Sequence, residues 1–132
     1  MNGVRLTVRV DFGADRALGP GKIRLLEAIH KSGSISQAGR SLGMSYRRAW
    51  LLVEDLNRCF RDGVVTKKPG GAQGGGAALT PFGRALIKKY RTIETQATVV
   101  AERQLRDLQT ALRGSGRARK RLKRSIRAAA AR

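Results

Sequence analysis

Cysteine and histidine are almost missing: Cys59 and His30 are the single examples of each in 132 residues. One cysteine allows no internal disulfide, and such scarcity fits a reducing, cytoplasmic setting. One histidine without partners at ligand spacing predicts no metal site. The chain offers no Ser/His/Asp set and no paired carboxylates in a plausible pocket, so neither an enzyme nor a cofactor is expected. Long apolar runs are missing too. No stretch approaches the roughly 20 apolar residues of a membrane span. The opening MNGVRLTVRVDF alternates instead of forming an apolar block, so it does not read as a signal peptide. There is no internal repeat. Acidic side chains are scarce, with nine Asp and Glu against 28 Lys and Arg, a net charge of +19.

That imbalance implies a polyanionic partner, with nucleic acid ahead of an acidic membrane surface. Arginine outnumbers lysine 20 to 8. Its planar fork suits phosphates and guanine edges, which favours nucleic acid over a membrane; with the motif described below, the expected partner is double-stranded DNA. Nine of the basic residues lie from Arg113 onward with no acid among them, and the rest still carries 19 basic against nine acidic side chains. The body is therefore basic without its tail.

Hydrophobic spacing divides the chain. Val4, Leu6, Val8, Val10 and Phe12 alternate with polar residues, predicting a strand over 4–12 with one buried face. A helix follows from Pro20, with Leu25, Leu26 and Ile29 inward and Gly33 ending it. Ser34 and Gln37 form a capping box for a second helix that runs to about Leu42. Gly43 breaks the pattern, and a third helix starts near Ser45 with Ala49, Leu52, Val53, Leu56 and Phe60 at helical spacing. Val64–Lys68 and Ala77–Thr80 predict a hairpin whose long loop holds Gly70, Gly71, Gly74, Gly75 and Gly76. That loop lacks the Gly-Lys-Ser/Thr ending of a phosphate loop. Thr80 caps a fourth helix, with Pro81 at its first position and an end near Arg113. At ~1.5 Å per residue it would be roughly 45 Å or more, too long for the body of a small domain. Leu86, Tyr90, Ile93, Ala97, Val100, Leu105 and Leu108 are its expected dimerisation stripe.

Two helices around a tight turn at Gly43 make a helix-turn-helix. The turn calls for a left-handed backbone, which glycine adopts without strain. Ala38 and Gly39 are small where the two helices cross, with Leu42, Met44, Ala49 and Leu52 beneath. In this motif the third helix enters the major groove and its first residues meet the bases. Those residues are Ser45, Tyr46, Arg47 and Arg48, and arginines there can grip guanine O6 and N7. Ser45 can cap the helix and meet a phosphate. The hairpin becomes a wing whose Lys67 and Lys68 reach phosphates. Ser34, Ser36 and Gln37 complete the DNA-contacting candidates. Trp50 is expected to pack against the wing, Cys59 to fill the core edge and His30 to be structural. Tyr46 reads equally as a phosphate contact or as local packing.

GSISQAGRSLGMSYRRAWLLVEDLN, followed by GGAQGGGAALTPFGRALIKKY, resembles the N-terminal domain of the molybdate-responsive ModE regulators. The resemblance covers about Gly21 to Ile93. It implies a winged helix-turn-helix related to LysR-type regulators and a homodimer on palindromic DNA. It also implies a recognition helix beginning at Ser45, Tyr46, Arg47 and Arg48, and a wing over Lys67–Ala78. In ModE, molybdate is bound by C-terminal domains. Here a basic tail follows instead, and no molybdate-binding domain is expected in this chain.

The expectation is a mainly α protein: a winged helix-turn-helix with an N-terminal strand over residues 1–80, a dimerisation helix over 81–113 and a basic tail over 114–132. In the tail, Leu122 and Ile126 sit four apart, a spacing that suits a helix forming on DNA. The expected function is sequence-specific transcriptional regulation by a cytoplasmic, nucleoid-associated homodimer. The alternative is an architectural DNA-binding protein with little sequence preference. A third possibility is a subunit that joins a separate effector-sensing protein through the long helix.

Overall fold

A computed structural model describes residues 3–68, 76–114, 124–127 and 129–130. The glycine-rich tip of the wing and most of the basic tail, Leu122 included, lie outside the described residues. The elements run β1 (Val10–Asp11), β2 (Ala17–Leu18), α1 (Pro20–Ser32), α2 (Ile35–Ser41), α3 (Tyr46–Cys59), β3 (Val65–Lys68), β4 (Gly76–Leu79) and α4 (Pro81–Ala111). The chain divides into two compact units, Thr7–Glu94 and Met1–Leu6 with Thr95–Arg132. The start of α4 contributes Leu86 and Tyr90 to the core of the first unit.

In the unit Thr7–Glu94, one core joins α1, α3, the wing and the start of α4. Ile23, Leu25, Leu26 and Ile29 from α1, Leu56 from α3, Val64 and Tyr90 are its fully buried large side chains. Pro20 opens α1, and Gly33 closes it in the left-handed region at φ 71°. There the Gly33 N–H donates to the Ile29 carbonyl. Phe60 anchors an aromatic row, edge-on to Phe12 at 5.8 Å and to Phe82 at 5.3 Å.

The alternating N-terminal segment forms far less strand than its pattern suggests. Only Val10 and Asp11 pair, antiparallel to Leu18 and Ala17. The partner strand is two residues long, so most of the segment has no ladder to join among the described residues. Burial still alternates along residues 3–11. The Val8 carbonyl is bound by the Tyr90 hydroxyl, which donates to it at 2.6 Å. Phe12 is partly exposed at its end.

β3 and β4 pair antiparallel from Val65↔Leu79 to Lys68↔Gly76. Thr80 then starts α4 as expected, its Oγ1 accepting the Gly83 N–H at 2.9 Å. The same hydroxyl donates to the Gly63 carbonyl at 2.6 Å. A Cβ at Gly83 would overlap the Val64 carbonyl oxygen, so only glycine lets the first turn of α4 lie this close to the wing. Burial raises the Tyr90 pKa, and the nearby Glu94 carboxylate adds to the shift. Arg91 grips both Glu27 carboxylate oxygens, at 2.6 and 3.2 Å, and Glu94 at 2.6 Å. The hydrogen bonds to Glu27, then those to Glu94, raise its pKa further and hold it charged.

In the other unit, α4 continues as an amphipathic rod to Ala111. Arg106 pairs with Glu102 one turn earlier at 2.9 Å. Val99, Val100 and Leu108 are exposed. Among the described residues no helix is long and apolar enough to cross a membrane.

Candidate nucleic-acid interface

α2 and α3 meet at their smallest residues. A Cβ on Gly39 would stand 2.9 Å from the Ala49 Cβ, so glycine sets how closely the helices cross. Gly43, at φ 69°, makes the turn between them in the left-handed region. Its N–H donates to the Arg40 carbonyl at 3.1 Å, and Met44 N–H to the Gly39 carbonyl at 3.0 Å. Met44 and Leu52 pack against the core. Leu42, expected beneath the crossing, is instead exposed; it sits at the C-cap of α2, where the chain leaves the helix.

Both helices are capped by serine. Ser34 Oγ accepts the Gln37 N–H at 3.1 Å. The reciprocal half of the capping box is replaced, because the Ser34 N–H donates to Ser32 Oγ at 3.2 Å. Ser45 Oγ accepts the Arg48 N–H at 3.1 Å, which leaves its own O–H to donate outward. The first turn of α3 holds no acidic residue. Its remaining N–H groups and helix dipole therefore favour an anion.

Ala49, Val53 and Leu56 bury one face of α3, and this turns the first turn outward. Tyr46 is 59% exposed, and Arg47 and Arg48 are exposed beside it. Trp50 is half-buried. At α2, the N-cap Ser34 and Ser36 are half-buried and Gln37 is exposed; Ser36 Oγ accepts a long 3.5 Å bond from Arg40. Lys67 and Lys68 are exposed on β3.

The wing is fastened to α3 and to the C-cap of α1. Asn57, in the last turn of α3, accepts the Val64 and Val65 N–H groups through Oδ1 at 2.7 and 3.1 Å. Its Nδ2 donates to the Val65 carbonyl at 3.2 Å. On the other strand, the Ala77 N–H donates to the Gly33 carbonyl at 2.9 Å. Neither Asn57 nor the exposed Leu51 stands out in the sequence. Asn57 is one polar residue on a helix, and its value lies in a loop that returns to it. Leu51 could have been found as the apolar residue that falls off the buried stripe.

The predicted α4 stripe splits. Leu86 and Tyr90 are buried in the chain's own core and are not available to a second copy. The spacing that suggested one continuous stripe therefore runs from core positions into exposed ones. Ile93, Val100 and Leu108 are exposed, and Ala97 and Leu105 half-buried. Among the described residues no three His, Cys, Asp or Glu side chains gather to hold a metal. Cys59 is half-buried.

α2, the glycine turn, α3 and the β3–β4 hairpin define a winged helix-turn-helix. No family model matches the chain. Its N-terminal part is similar to the ModE proteins: it is 37% identical over 98 residues to the molybdenum transport protein ModE of Azotobacter vinelandii, covering 73% of this chain and 36% of that one. It is 48% identical over 77 residues to the molybdenum-pterin-binding protein MopB of Rhodobacter capsulatus, covering 58% and 28%. It is 42% identical over 71 residues to the DNA-binding transcriptional dual regulator ModE of Escherichia coli K12, covering 54% and 27%. The chain thus spans about a third of the length of these relatives. A solved structure of a CbnR DNA-binding domain–DNA complex aligns with TM-score 0.49 at 18% identity, over 64% of this chain and 91% of that one.

Proposed function

We propose that the protein is a sequence-specific DNA-binding transcriptional regulator that acts as a homodimer on a palindromic site. One observation carries the reading: α3 buries one face and turns Tyr46, Arg47 and Arg48 outward from a serine-capped, acid-free first turn. An arginine fork so placed can bind guanine O6 and N7 in a major groove. Ser45 and the free N–H groups take a phosphate, and Lys67 and Lys68 extend the backbone contacts along the wing. The exposed part of α4, Ile93, Val100 and Leu108 with the half-buried Ala97 and Leu105, is the face that pairs with a second copy. Pairing sets the two α3 helices about one DNA turn apart, ~34 Å. The E. coli relative, a DNA-binding transcriptional regulator by name, supports the reading. The molybdenum chemistry in the relatives' names is not carried over, because the match spans only about a third of those proteins. Such a regulator works in the cytoplasm, on the chromosome.

The net charge of +19 favours a second reading, an architectural protein that coats DNA without preference. Selection from a random DNA library at near-physiological salt separates them. A recovered palindrome supports the regulator. No motif, with affinity falling steeply as salt rises, supports the architectural role.

A further inference from the structure

We propose that Leu51 is a specificity-determining residue that reads the 5-methyl group of a thymine in each half-site. The proposal rests on the recognition-helix reading above and extends it to a residue that neither the motif nor charge would select.

Leu51 follows Arg47 by four residues and Arg48 by three, so it lies on their face of α3, one turn further along. It is 45% exposed, whereas Ala49, Val53 and Leu56 fill the core beneath the helix. The core does not need it, and Leu52 is the neighbour that packs inward. It is an aliphatic side chain on a face otherwise occupied by Arg47, Asp55 and Arg58, all exposed. The rise from Arg47 to Leu51 is ~6 Å along the axis, so a helix whose first turn meets base edges keeps Leu51 within the groove.

Nearly every group on the major-groove floor is a hydrogen-bond donor or acceptor. The thymine methyl is the exception. A leucine pressed onto N7, O6 or N4 would strip water from a polar group and replace nothing. Over a thymine it covers carbon with carbon. Leu51 therefore selects T·A by attraction to the methyl and disfavours other pairs by leaving their polar edges dry. The arginines and the leucine divide the work: guanine is chosen by hydrogen bonds and thymine by shape.

The test replaces thymines by deoxyuridine one at a time in the selected site, which removes the methyl and leaves the hydrogen-bonding edge intact. Binding is measured for the full chain and for Leu51→Ala, whose exposed position predicts unchanged thermal unfolding. The expected result is one thymine per half-site at which loss of the methyl weakens wild-type binding about fourfold, the equivalent of one buried carbon. The same replacement should leave Leu51→Ala almost unaffected. A site with no thymine beneath α3, methyls that are all silent, or an equal loss in both proteins would overturn the assignment while leaving the regulator reading intact. Recovery of no preferred site would overturn both.

Discussion

Asn57 in α3 holds Val65 in β3 by both its backbone groups, accepting the N–H at 3.1 Å and donating to the carbonyl at 3.2 Å. The same oxygen takes the Val64 N–H. α3 and the wing are thereby one piece at their junction, and the exposed Lys67 and Lys68 follow within three residues. Val64 and Val65 are buried, so truncating Asn57 leaves two N–H groups with no partner. Asn57→Ala is expected to lower unfolding stability by ~2–4 kcal/mol in urea titration. A loss under about 0.5 kcal/mol would mean the clamp contributes little.

The crossing of α2 and α3 is set by contact between Gly39 and Ala49. Gly39→Ala should destabilise the protein by ~1–3 kcal/mol, through overpacking at 2.9 Å. The same change made in an Ala49→Gly background should cost much less, since the clashing methyl has gone. Additive costs in that double-mutant cycle would place the strain elsewhere.

Much of this was legible beforehand because it is written in local chemistry. Pro20, Gly33, Ser34, Gly43, Ser45 and Thr80 each act within a few residues, and each acts in the structure as its type suggests. The first-turn cluster Tyr46–Arg48 follows from the cap and the buried stripe. What resisted reading depends on distant partners. Val4–Phe12 has the alternation of a strand, but its partner is two residues long. Leu86 and Tyr90 share helical spacing with Val100 and Leu108, and periodicity along one helix cannot say where a core ends. Asn57 is informative only once the chain has turned back to it.

Tyr90 gives stability a defined alkaline limb. Its folded pKa is raised above the ordinary value of 10.0, by burial and then by Glu94. The folded state thus binds the phenolic proton more tightly than the unfolded state. This stabilisation is complete below pH 10 and is lost as pH rises through the folded pKa. Tyr90→Phe should lower stability at neutral pH, through the lost bond to the Val8 carbonyl, and flatten the decline above pH 10. An unchanged alkaline slope would assign that limb to other groups.

If the exposed part of α4 pairs with a second copy as proposed, assembly and folding should separate cleanly. Val100 is 86% exposed and Leu108 66%, so Val100→Glu and Leu108→Glu should leave helical circular dichroism intact. Both should shift sedimentation equilibrium from dimer to monomer. Leu86→Ala should instead cost ~2–5 kcal/mol of folding stability, as a core truncation does.

In the proposed regulator, Arg47 and Arg48 read bases and do not merely hold phosphate. The direct measurement is the affinity of wild type, Arg47→Ala and Arg48→Ala for the selected site and for a scrambled duplex at one salt concentration. At least one substitution should lower specific affinity by ~1–3 kcal/mol while non-specific affinity changes far less. Equal losses on both duplexes would contradict it and leave the arginines as backbone contacts.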